Sequence, residues 1–218
     1  MNVTRASAFA AKRLYYAPTS LPVAVVDRTA DAFMMAWSAA PKSRTALLVI
    51  DAQVALMDGA WREDQVLATI ADLQARARQA NAPVIFLQHN HSRFAPMMKG
   101  AVGWAIHPKV APRPDEMVIE KTASDSFLDT SLEKELHRLG VSHLVVTGAQ
   151  TEFCIDATCR SALSRGFEVA LVADAHTTGD AVISAETTIR HHNYALANLA
   201  HPRRSISVIA SSQTSFGQ

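Results

Sequence analysis

The stretch SHLVVTGAQTEFCIDATCRSALSRGFEVALVADA, residues 142–175, holds two apolar runs, SHLVVTGA and FEVALVADA, separated by a segment of helical composition that stops at Gly166. Both runs are continuous rather than alternating, which is how strands covered on both faces look, and the glycine stands where a helix C-cap is expected. Strand, helix and strand in such close succession predict a right-handed crossover and a parallel pair.

Outward from this unit the same pattern repeats. TALLVID (45–51) and APVIFLQH (82–89) are further continuous runs; DEMVIEK, ending at Lys121, and SISVIAS near the C-terminus are weaker candidates, giving six strands. Helical stretches are expected at 63–80, 130–139, 152–165 and 181–199, with Gly140 closing the second. The alternation predicts an α/β domain of three layers, α/β/α, around a six-stranded and mostly parallel sheet. No G-x-G-x-x-G follows any strand, which argues against a dinucleotide site. The longest irregular segment, 90–115, carries Pro96, Gly100, Gly103, Trp104, Pro108, Pro112 and Pro114 and reads as a lid or binding loop.

A chain of 218 residues, 49% of them hydrophobic, suits one buried core. One domain is expected over 45–218, preceded by an N-terminal arm, 1–44. The formal charge of +1, without a long run of either sign, offers no footprint for nucleic acid or an anionic membrane, so the expected partner is a small molecule. No apolar run approaches the roughly 20 residues of a membrane span, and a soluble, cytoplasmic protein is expected. The first 26 residues carry basic groups and no acid, close in composition to a transit peptide but without a clear amphipathic arginine face, and are read as an ordered arm.

In open α/β sheets the ligand crevice lies beyond the carboxyl ends of the strands. There the sequence places Asp51, His89, Lys121 and the turn from Gly148 to Cys154. Cys154 follows a strand and opens a helix, where orphan N–H groups and the helix dipole are expected to stabilise a thiolate and lower its pKa. A buried core thiol is the bland alternative, and Cys159, deeper in the helix, takes it. The two cysteines point about 140° apart around the helix axis and are not expected to pair. Asp51 ends a strand, where a carboxylate is costly to desolvate without partners or work, and it can take a thiol proton and return it to a leaving amine. Lys121 can hold both groups ionised. Taken singly, Asp51 reads equally well as a loop anchor and Lys121 as a solvated surface group.

The motifs LLVIDAQ, VIEKTASDSF and VVTGAQTEFCIDATCRSALSRGFEVALVADAHTT, in this order, resemble the isochorismatase-like cysteine hydrolase family over the chain from about Thr45 to the region of His192–Leu199. The resemblance implies a sandwich around a six-stranded parallel sheet and a triad of Asp51, Lys121 and Cys154. It also implies a cis peptide between Ala149 and Gln150, with the amides of Gln150 and Cys154 as an oxyanion hole. The implied reaction is acyl transfer: Asp51 takes the thiol proton, the thiolate attacks an amide or ureido carbonyl, amine leaves, and water activated by the same aspartate hydrolyses the thioester. Family members that cleave a vinyl ether carry another residue at the cysteine position, so Cys154 points to carbon–nitrogen bonds.

Metal-binding nicotinamidases of the family have Asp-x-His after the second strand and a later histidine; here His89, His91 and His107 stand in that region. A three-histidine zinc or iron site is the alternative to the expected absence of any metal or cofactor. Trp104, Phe127 and Gln150 are the candidate substrate-binding residues, the two aromatics as pocket walls. Gln53 is expected to tie down the loop, and His191 and His192 to serve structure or an interface. A homodimer or homotetramer is expected for such a fold, with Tyr15, Tyr16 and LPVAVV of the arm against a neighbouring subunit. Two other functions compete: vinyl-ether hydrolysis with Arg93 or Lys99 holding carboxylates, and ligand binding or thiol redox without catalysis.

Overall fold

The computed structural model describes residues 44–216. The arm expected over 1–44 lies outside the described residues, apart from Arg44, which opens the first strand. Six strands form one sheet: β1 (Arg44–Ile50), β2 (Val84–His89), β3 (Met117–Lys121), β4 (Val141–Ala149), β5 (Glu168–Thr177) and β6 (Ile206–Ile209). They lie in the order β3-β2-β1-β4-β5-β6, every neighbouring pair parallel.

The continuity of the apolar runs has a direct cause in β1. Leu47 and Val49 point to one face, against Val66, Leu67, Ile70, Leu73 and Ala77 of helix α1 (Glu63–Gln79). Ala46, Leu48 and Ile50 point to the other, where Leu132 and Leu136 of α2 (Leu132–Arg138), Cys159, Ala162 and Leu163 of α3 (Asp156–Ser164) and Leu196 of α4 (Ala185–Ala197) close the core. With both faces covered, no position along the strand can be polar without a partner.

Helix starts differ from expectation where a side chain offers the backbone a better bond. α4 begins at Ala185, not 181, because Ser184 accepts from the Thr187 amide and Asp180 from the Ala185 amide at 2.8 Å. α3 begins at Asp156, because Thr151–Ile155 form a wider π-helical turn in which the amides of Phe153 and Ile155 both donate to the Gln150 carbonyl. The irregular segment contains three short 3-10 turns, at Ala95–Met97, Val102–Trp104 and Pro108–Val110. Buried Met97 and Val110 anchor it, and Gln74 on α1 donates to the Val110 carbonyl at 2.9 Å. Among the described residues no helix is long and apolar enough to cross a membrane.

The strand order reverses between β1 and β4, so their carboxyl ends diverge and leave a crevice. Ile50 of β1 pairs with Gly148 of β4, whose φ is 121° and where a Cβ would lie 1.9 Å from the Ile50 carbonyl oxygen. Only glycine fits both the conformation and the contact. Gly148→Ala is therefore expected to lower stability by about 3 kcal/mol or more. Urea unfolding should show this as a lower midpoint.

Candidate active site

Three elements deliver one charged or nucleophilic group each to that crevice. Asp51 follows the last residue of β1, with a φ of 48° that turns the chain away from the sheet. Lys121 ends β3, and Cys154 sits in the π-helical turn after β4. The Lys121 ammonium lies 2.7 Å from Asp51 Oδ2, and both side chains are fully buried. Its angle to the carboxylate is poor for a hydrogen bond, so the pair is held by charge and both carboxylate oxygens lack a conventional donor. The same ammonium donates to Cys154 Sγ at 3.2 Å and to the Ala123 carbonyl at 2.9 Å. The peptide bond between Ala149 and Gln150, just before the turn, is cis.

Electrostatics in this cluster follow burial first. Desolvation raises the Asp51 pKa, and the Lys121 charge pulls it back down. The Cys154 thiol is pushed up to about 12, by burial and then by the facing Asp51 carboxylate, with Lys121 opposing. This reverses the expected lowering. The thiol lies in the π-helical turn before the helix proper, 7% exposed, and dehydration outweighs any help from helix dipoles. Resting Cys154 is a protonated thiol that needs a base in reach, and groups of Asp51, His89 and Cys154 lie within 4.8 Å of one another. Cys159 is fully buried and far above the ordinary thiol range, the inert role expected of it.

A cavity of about 590 Å³ opens above the thiol. Its lining includes Leu56, His89, Phe94, Gln150, Phe153 and Cys154. Of the three expected substrate contacts, Gln150 is there and the two aromatics are not. Phe127 is 5% exposed and stacks on Phe167 at 5.9 Å between ring centroids, so it belongs to the core. Trp104 spends its indole N–H on Asn90 and its carbonyl on Gln53 and Gln88, which makes it an anchor of the loop. Gln53 plays the tethering role expected of it: its side chain bonds the His89 carbonyl, the Trp104 carbonyl and the His89 amide. The aromatic walls are Phe94 and Phe153, which the sequence reading missed. Their signal was position, one beside the histidines after β2 and the other next to the cysteine.

The three histidines do not converge. His91 Nδ1 accepts from the amides of Arg93 and Phe94, and His107 Nδ1 from the amide of Lys109, so each is bound into its own turn. His89 instead turns to Lys121, Nδ1 to Nζ 3.2 Å, which the parallel register of His89 with Lys121 makes possible. His192 bonds the Thr188 carbonyl within α4, a structural role. Lys99 is paired with Glu120 at 2.6 Å and does not face the cavity.

Behind the turn, His176 is buried between Thr151 Oγ1 and Asn193 Oδ1, each 2.9 Å away. Burial lowers its pKa to about 4, so the imidazole is neutral, donating to Asn193 and accepting from Thr151. It links α4 to the turn that carries Cys154.

Comparisons with known proteins bear on the family and the fold. Residues 45–211 match the family model described as Isochorismatase domain. Two streptothricin hydrolases of Streptomyces noursei are each 42% identical, over 156 and 138 residues, or 67% and 62% of this chain. The matches span only 62% and 50% of those relatives' own lengths. Nicotinamidase 3 of Arabidopsis thaliana is 33% identical over 157 residues, covering 63% of this chain and 76% of that protein. The crystal structure of an isochorismatase from Pseudomonas putida KT2440 superimposes with a TM-score of 0.70 at 26% identity, over 83% of this chain and 96% of that one.

Two outcomes follow from these buried titratable groups. Lys121→Met leaves an uncompensated carboxylate and is expected to cost about 3–5 kcal/mol in urea unfolding, most of it recovered in the Asp51→Asn/Lys121→Met double variant. His176 has a native pKa of about 4 against 6.5 in the unfolded chain, so the unfolded state binds the extra proton between these values. Stability is then expected to fall by about 3 kcal/mol as pH drops from 6.5 to about 4. His176→Gln should flatten that slope.

Proposed function

Because the chain belongs to the isochorismatase family, we propose that it is a hydrolase that opens a carbon–nitrogen bond of a small molecule, with Cys154 as nucleophile, Asp51 as base and Lys121 as electrostatic partner. The observation that carries this reading is the single ammonium of Lys121 placed 2.7 Å from Asp51 and 3.2 Å from Cys154, at the floor of a substrate-sized cavity.

With the thiol at about 12, attack requires its proton to move in the same step, and the Asp51 carboxylate has lone pairs to accept it. The thiolate that forms is compensated by Lys121, which is already hydrogen-bonded to the sulfur. Negative charge developing on the substrate carbonyl oxygen is held by the amides of Gln150 and Cys154. The amine departs with the proton from Asp51, leaving a thioester that water then hydrolyses.

Support for an amide or ureido substrate comes from the presence of a thiol at this position and from a relative named nicotinamidase. The Phe94 and Phe153 side chains, 46% and 54% exposed, give the cavity an apolar rim for a flat or hydrocarbon portion of the ligand. Vinyl-ether hydrolysis of a dicarboxylate has less to hold it, since Lys99 is occupied by Glu120 and Arg93 is the cavity's one guanidinium among the described residues.

The test is a panel of small amides, lactams and ureido compounds, nicotinamide and streptothricin among them, run beside isochorismate. Turnover of a member of the first group is expected, with a loss on the order of 10⁴-fold in Cys154→Ala and in Asp51→Asn at unchanged circular dichroism. Turnover retained in both variants, or confined to isochorismate, overturns the proposal.

A further inference from the structure

The charges around the cavity can be counted. At its floor the Lys121 ammonium is matched by Asp51, 2.7 Å away. Cys154 is a protonated thiol, and burial together with the Lys121 charge lowers the His89 pKa, so that ring is neutral near pH 7. His91 Nδ1 accepts from the backbone amides of Arg93 and Phe94, at 3.1 and 3.0 Å, a role only the uncharged ring can fill. No aspartate or glutamate belongs to the lining, and its other polar side chains, Ser92, Thr122, Ser124 and Gln150, carry no charge. Arg93 is left as the unmatched charge of the cavity.

The fold leaves this cation free and holds its backbone still. Lys99, six residues on, is occupied by Glu120 at 2.6 and 2.8 Å. The Arg93 side chain has no ion pair or hydrogen bond among the described residues, and it is exposed. Its turn is fixed from both sides. The His91 ring takes the Arg93 and Phe94 amides, the His91 amide donates to the Met97 carbonyl at 3.0 Å, and the Met97 amide donates to the Phe94 carbonyl at 2.9 Å. Met97 itself is buried and ties the turn to the domain. A ligand that engages Arg93 therefore has one side chain to order and no loop.

We propose that the cavity takes amides bearing one carboxylate away from the scissile carbonyl, and that Arg93 selects them through a bidentate ion pair. This rests on the carbon–nitrogen hydrolase reading above and adds the charge of its substrate. The two oxygens of a carboxylate match the guanidinium fork, and a ligand that fills the cavity displaces the water that would otherwise screen the pair. Phe94 follows Arg93 in the chain and Phe153 precedes Cys154, and both rings line the cavity, where they offer apolar surface to the spacer between carboxylate and amide. A single unmatched positive charge is satisfied by a single negative one. A dicarboxylate brings a second charge that no lining residue balances, and a cationic amide meets a like charge.

Compounds matched in size and differing in charge test this: succinamate, succinamide and 3-aminopropanamide, with the shorter and longer homologues of each. Wild type is expected to turn over the best anion with a kcat/KM on the order of 100-fold above the diamide of the same length, with the aminoamide lowest. In Arg93→Gln the ratio of anion to diamide should fall to about one, through the KM of the anion rather than kcat. Arg93→Lys, which keeps the charge and loses the fork, should keep part of the preference, and Arg93→Glu should move it to the aminoamide. Calorimetric titration of Cys154→Ala with the same compounds reads binding without turnover and should give the same order. Preferential binding of the anions with no amide hydrolysed by wild type would remove the hydrolase reading and leave the charge assignment standing. Hydrolysis without an anion preference, a preference that survives in Arg93→Gln, or no binding of any anion to Cys154→Ala overturns the assignment.

Discussion

A lysine ammonium entirely out of water is the constraint on which the site depends. Lys121 and Asp51 are both fully buried, and either alone would be a lone charge in a low-dielectric interior. Each therefore requires the other, and the carboxyl ends of β1 and β3 have to arrive at one point although β2 lies between them. The parallel register fixes that arrival. A one-residue slip of β3 would send Lys121 to the opposite face of the sheet, so a folded sheet and an assembled charge pair are the same event. Gly148 lets β4 pair against the end of β1, and the turn that follows β4 adds the thiol.

Much of this was legible in the sequence because covering both faces of a sheet forces continuous apolar runs, and the helix-covered strands show them. Asp51, Lys121 and Cys154 stood out because a parallel α/β sheet gathers its strand ends on one edge. Directions were harder. The aromatic rings of Trp104 and Phe127 were visible, but composition reports area and not where it points; one ring anchors a loop and the other fills the core. The helix-start rule gave the wrong sign for the Cys154 thiol because it weighs dipoles without burial. His89 and Lys121 both end strands, yet that they are register partners depends on a pairing the sequence does not display.

Support for the thiol also comes from behind the sheet edge. The neutral imidazole of His176 joins Asn193 on α4 to Thr151 in the turn, with Thr178 binding Glu152 beside it. These bonds use polar groups the π-helical turn would otherwise leave buried without partners. The turn that carries the reacting sulfur is thus fastened at its start to the following strand and the last described helix, while the sulfur itself is held from the front by Lys121.

The cavity and the charged cluster come from different parts of the chain. Asp51, Lys121 and Cys154 belong to strand ends and the turn after β4, whereas Ser92, Arg93, Phe94 and Met97 of the lining belong to one short stretch after β2. That stretch is pinned by buried Met97 and, through Trp104, by Gln53, and its other side chains carry little of the core. Mutation can rewrite these few positions without touching the bonds that assemble the charges. Inheritance of the chemistry and divergence of the ligand are therefore separable in this fold, and duplicated copies can part company in what they accept while keeping how they react.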